Sequence, residues 1–149
     1  MPQKTDLDST YMGTAILHSR LSKAIRKAVG AVLVTEHGVT LTGYNGTATG
    51  ADNACETIDP ETGEYITKPE VIHAELNCVL KAAKEGISVD GSTIYVTLSP
   101  CAPCAAMLVQ VGIRELVFME SYRDKQGVFD LLNAGVKVRQ YEPKAQEPY

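Results

Sequence analysis

Two short stretches of this 149-residue chain carry residue types that can hold a metal and move a proton. One is His73-Ala74-Glu75 and the other is Pro100-Cys101-Ala102-Pro103-Cys104. A Cys-x-x-Cys pair opening a helix brings both sulfurs to the same helix end. The unpaired N–H groups and the positive end of the macrodipole favour thiolates there. Thiolates bind Zn²⁺ at about 2.3 Å, and Pro100 and Pro103 stiffen the entry. Taken by itself, Cys-Ala-Pro-Cys fits a thioredoxin-type redox site as well as a metal site. Its late place in the chain weighs against the redox reading, which also gives no role to His-Ala-Glu.

Adding His73 makes one nitrogen and two sulfur donors. Three protein ligands leave a tetrahedral zinc one position for water, whereas a structural site fills all four. Bound zinc brings the pKa of that water to about 7. Glu75, two residues beyond His73, then suits the work of a proton shuttle. Of the two remaining cysteines, Cys78 lies about 140° around a helix from His73 and is expected to be buried packing. Cys55 as a fourth ligand would make the site structural and inert, and the expectation is that it is not one. His18 and His37 receive no role.

These residues need a scaffold. Hydrophobic residues make up 44% and charged residues 21%, which argues against wholesale disorder. A chain of this length suits one domain, 1–149, with loose tails over about 1–8 and 142–149. No run approaches the ~20 apolar residues of a membrane span. The polar start is not that of a signal peptide, and the expected location is cytoplasmic. A net charge of −4 argues against a nucleic-acid polymer as partner.

Strand and helix signals alternate between the tails. Asp8-Ser9-Thr10 is expected to cap a helix whose apolar spacing runs to Ala28. Strands are expected at 30–35 and 39–42, joined by a turn at His37-Gly38. A Gly/Asn/Asp/Thr-rich loop follows from about Asn45 to Glu70. Helix 71–85, strand 92–98, helix 101–112, strand 115–119, helix 124–133 and strand 136–141 complete the order. A hairpin followed by β-α units predicts an α/β fold, a five-stranded mixed sheet with helices on its faces.

His-x-Glu followed by Pro-Cys-x-x-Cys is the signature of zinc nucleobase deaminases. On it the chain resembles the cytidine/deoxycytidylate deaminase superfamily over about Arg26 to Asp124, and within that superfamily it looks most like the deoxycytidylate (dCMP) deaminases. The further carrying segments are Arg26-Lys-Ala-Val-Gly-Ala-Val-Leu-Val34, Thr42-Gly-Tyr-Asn-Gly46, Val71-Ile-His-Ala-Glu-Leu-Asn77 and Tyr95-Val-Thr-Leu-Ser-Pro-Cys-Ala-Pro-Cys104. The resemblance implies a three-layer α-β-α, cytidine deaminase-like fold and hydrolysis of dCMP to dUMP and ammonia. It implies one catalytic Zn²⁺ held by His73, Cys101 and Cys104, with Glu75 protonating N3 of the base and then helping ammonia leave. Substrate contacts are implied for Arg26, Asn45, Ala74 and Tyr122, with Arg123 and Lys125 as looser phosphate candidates. Asn53 and Glu56 resemble loop positions of phage-like members and are carried as effector contacts for dCTP or dTTP, with Mg²⁺ accompanying the triphosphate. A homo-oligomer, a hexamer, is implied as well. The chain departs from the family in two places. The long loop keeps only Cys55, so no second zinc is expected, and Thr47-Ala48 replaces a frequent proline after Gly-Tyr-Asn-Gly. Cytidine, guanine and tRNA adenosine stand as alternative substrates, and a structural zinc module as the non-enzymatic alternative.

Overall fold

The structure is a computed structural model that describes residues 4–143. Its elements run α1 (Lys4–Ser19), β1 (Gly30–Val34), β2 (Thr40–Tyr44), β3 (Glu56–Ile58), β4 (Tyr65–Thr67), α2 (Ala74–Glu85), β5 (Thr93–Leu98), α3 (Ala102–Gln110), β6 (Glu115–Glu120), α4 (Gln126–Asn133) and β7 (Lys137–Gln140). Five strands form one mixed sheet in the order β2-β1-β5-β6-β7. Strand β1 pairs antiparallel with β2 and β5, while β5-β6 and β6-β7 are parallel, each crossing over through a helix.

The two faces of the sheet follow from side-chain alternation along each strand. Ala31, Leu33, Ile94, Val96 and Leu116 point into one core, with Cys78, Ala82, Ala105 and Leu108 from α2 and α3. Val32, Tyr95 and Val117 point the other way, onto Met12 and Ala15 of α1. The arrangement is the expected three-layer α/β fold.

A four-residue network fastens the outer edge. Arg139 of β7 donates to both carboxylate oxygens of Asp8, at 2.5 and 2.8 Å, and to Glu115 Oε1 at 2.6 Å. Tyr95 Oη donates to Asp8 at 3.2 Å. Asp8 is only 5% exposed, and α1 is already helical at Lys4. The loose N-terminal tail expected over 1–8 is therefore corrected for residues 4–8, because an ionised buried carboxylate demands a partner and finds one in Arg139, while residues 1–3 lie outside the described residues. Of the expected C-terminal tail, residues 144–149 lie outside the described residues.

Three further boundaries differ from expectation. The first helix stops at Ser19 rather than Ala28, since the N–H groups beyond it turn to other acceptors. Arg20, Leu21 and Ser22 close i→i+3 turns, Ala24 donates to Ser22 Oγ, and Ile25 and Arg26 donate to Glu56. Helix α2 begins at Ala74, not Val71, because Ile72 exchanges two backbone hydrogen bonds with Gly46. Finally, the long loop contains the hairpin β3-β4.

Candidate active site

His73 and Cys101 are the N-caps of α2 and α3. Both have extended backbones, with φ −71°, ψ 157° and φ −72°, ψ 166°, and neither side chain caps its own helix. Both turn instead toward a shared point. His73 Nδ1 lies 3.4 Å from Cys101 Sγ and 3.3 Å from Cys104 Sγ, the latter from the first turn of α3. The three donor atoms all lie within 4.8 Å of one another. Ligands on one tetrahedral zinc stand about 3.5–3.8 Å apart, given Zn–S of about 2.3 Å and Zn–N of about 2.0 Å. The donor set and its spread fit that ion. Among the described residues no other group of three His, Cys, Asp or Glu side chains gathers in this way.

The sheet sets this meeting point. Cys101 follows the end of β5 directly, and His73 follows the Gly46–Ile72 bridge that ties it to the end of β2. Gly43 of β2 lets α2 come close, since a Cβ there would stand 2.5 Å from the carbonyl oxygen of Ala74. Two helix N-termini thus converge where anionic sulfur is favoured.

The electrostatics agree. The Cys101 thiol is pushed down to about 4, first by the hydrogen bond from Cys104 and then by His73. Cys104 is pushed up because it donates that bond and is buried. The hydrogen bond to Cys101 raises His73 in turn. Glu75, 4% exposed, has its carboxyl pushed up to about 7 by burial. Such a group exchanges a proton readily near neutral pH.

A cleft of about 320 Å³ opens over these residues. His73, Ala74, Glu75 and Cys101 line it, and so do Arg26, Asn45, Glu56, Tyr122 and Arg123 from the resemblance. Asn53 and Lys125 do not line it. Asn45 braces the cleft edge: its Oδ1 accepts from Val29 N–H and its Nδ2 donates to Lys27 O, each at 2.9 Å. Cys55 lines the cleft yet stays outside the three-donor cluster. Cys78 is fully buried, with its thiol pushed up to about 12 by desolvation.

Sequence reasoning missed three polar residues of this cleft. Lys27 lines it, with its Nζ held 2.5 Å from Glu120. Ser99 lines it and accepts the N–H of Tyr122 at 2.7 Å, which fixes the turn that carries Tyr122 and Arg123. Thr67 lines it from β4, a strand with no clear periodic signal. The positions of Lys27 beside Arg26, and of Ser99 beside Pro100, were the available clues.

The sequence matches the cytidine and deoxycytidylate deaminase zinc-binding region over residues 5–120. The deoxycytidylate deaminase of Enterobacteria phage T4 is 36% identical, with 87% of this chain and 87% of that protein covered. That of Homo sapiens is 34% identical, over 92% of this chain and 80% of that protein. The crystal structure of dCMP deaminase from the cyanophage S-TIM5, in complex with dCMP and dUMP, superposes with a TM-score of 0.83 at 37% identity. It covers 94% of this chain and all of the other. With the His/Cys/Cys cluster, the buried glutamate and these likenesses in agreement, the chain belongs to the cytidine and deoxycytidylate deaminases, a family of enzymes.

Proposed function

We propose that this enzyme hydrolyses dCMP to dUMP and ammonia. The observation that carries the reading is a single cleft lined by two members of a three-donor metal cluster, a buried proton-exchanging carboxyl and the arginines 26 and 123. His73, Cys101 and Cys104 would hold Zn²⁺, which when bound would supply a water of lowered pKa as the nucleophile. Three donors gather among the described residues, where a structural zinc module calls for four, which favours the catalytic reading.

Glu75 does the proton work. Its carboxyl delivers a proton to N3 of cytosine, which draws electron density from C4. It takes back both protons that the attacking water gives up, passing one to the departing amine and keeping the other to restore its acid form, so water provides the new oxygen and ammonia leaves. Burial serves this role, since a carboxyl near neutrality gives and takes protons with little penalty. Ala74, between ligand and acid, presents its backbone to the base, and Tyr122 flanks the base. Asn45 stands with the sugar. Arg26 suits the 5′-phosphate, because a guanidinium matches phosphate geometry.

The test is ammonia release from dCMP beside CMP, cytidine and dCTP with zinc-loaded protein. dCMP is expected to be preferred over cytidine, which has no phosphate, by at least about tenfold in kcat/KM, the worth of one charge-assisted contact. Silence on dCMP, or equal turnover of cytidine, refutes the reading. The same assay with dCTP or dTTP and Mg²⁺ tests regulation, and light scattering tests the homo-oligomer.

A further inference from the structure

We infer that the β3-β4 hairpin is a clamp that sets Arg26 to read a phosphate monoester. The inference rests on the nucleotide reading above and names what holds its phosphate contact in place.

Residues 20–29 lie between α1 and β1 in no helix or strand, so no ladder fixes the backbone of Arg26. The hairpin replaces one. Glu56, the first residue of β3, accepts the N–H of Ile25 and the N–H of Arg26 on the same Oε2, each at 2.9 Å. Thr67, the last residue of β4, accepts Nη1 of Arg26 on its Oγ1 at 3.2 Å. Glu56 and Thr67 are directly paired across the hairpin. One cross-strand position therefore grips both the backbone and the guanidinium of one arginine.

All three residues line the cleft that contains His73 and Glu75. A guanidinium offers five N–H donors, and the Thr67 contact uses one of them. The rest keep a fixed fork for an oxyanion, which suits bidentate phosphate recognition. Its bonds to Ile25 and Arg26 give Glu56 a task inside the substrate cleft rather than at an effector site. Glu56 and Thr67 are thus positioning residues, acting through Arg26.

The experiment is steady-state kinetics of the zinc-loaded protein and its Glu56→Ala, Glu56→Gln and Thr67→Val variants, with melting curves for each. Glu56→Ala is expected to raise KM for dCMP about tenfold while kcat stays within about twofold, and the Ki of competing deoxycytidine, which has no phosphate, should also stay within about twofold. Glu56→Gln keeps an oxygen for the same two N–H groups and should restore KM to within about threefold of wild type. Thr67→Val should raise KM by about threefold, the worth of one weaker hydrogen bond. If dCMP and deoxycytidine weaken in parallel, or kcat falls with KM, Glu56 merely supports the fold and the clamp is overturned. An unchanged KM in Glu56→Ala overturns it equally. If wild type holds deoxycytidine as tightly as dCMP, the phosphate reading itself fails and removes the clamp with it, whatever the variants do.

Discussion

Gly127 offers the sharpest test of how the metal turn is held. It is the second residue of α4, and a Cβ built on it would stand 2.3 Å from the carbonyl oxygen of Pro100 and 2.9 Å from both the carbonyl carbon and oxygen of Cys101. Ordinary contact begins near 3.4 Å, so Gly127→Ala demands about 1 Å of relative movement. All the opposing atoms are backbone, and no rotamer change relieves them. The movement divides between α4 and the turn that carries Cys101. Half of it on the turn is about 0.5 Å, beyond the roughly 0.2 Å that metal–ligand distances tolerate. Overpacking of this kind costs about 1–3 kcal/mol. For a chain of this size that lowers Tm by about 3–10 °C. The dissociation constant for zinc should rise about 10–100-fold, the range for disturbing the groups that orient a ligand. The assay is zinc transfer to a chromogenic chelator, alongside melting of the metal-free protein. Gly46→Ala is the control, since nothing lies within 4 Å of its added Cβ. Unchanged zinc affinity in Gly127→Ala would refute the reasoning, even with a lowered Tm, because α4 alone would then have yielded.

Replacing Glu75 with Gln should leave zinc content intact by elemental analysis yet lower kcat by about 10²–10⁴-fold, the usual worth of a general acid–base group; retained turnover sinks its role. Cys55→Ala should keep one zinc per chain, and metal loss would restore Cys55 as a ligand. Arg139→Ala removes the arginine partner of Asp8 and Glu115, which are 5% and 7% exposed, and should cost about 3 kcal/mol or roughly 10 °C of Tm. Because none of that network lines the cleft, its zinc affinity should stay at the wild-type value. Cys78 should resist iodoacetamide at pH 8 until the chain unfolds, since burial holds its thiol well above that pH, and mass spectrometry reads this directly.

What the sequence disclosed, and what it hid, divides by where the backbone hydrogen bonds go. His73, Glu75, Cys101 and Cys104 were legible because each pair shares one helix start, so spacing alone fixes their mutual geometry. The central strands β1, β5 and β6 were legible because each is apolar on both faces, sending residues into the two cores it separates. The segment from Arg20 to Val29 was not. Its apolar spacing imitates a helix, but its N–H groups are taken by Ser22, Glu56 and nearby turns, and the decisive acceptor lies about 30 residues away. The hairpin that supplies Glu56 was hidden for the matching reason. Its strands are three residues each and mostly exposed, too short and too wet for a periodic signal. Two unrecognisable pieces therefore stabilise each other, and their joint product is the placement of Arg26 in the cleft. The metal and acid residues are written in contiguous motifs, while the placement of Arg26 depends on contacts between distant segments.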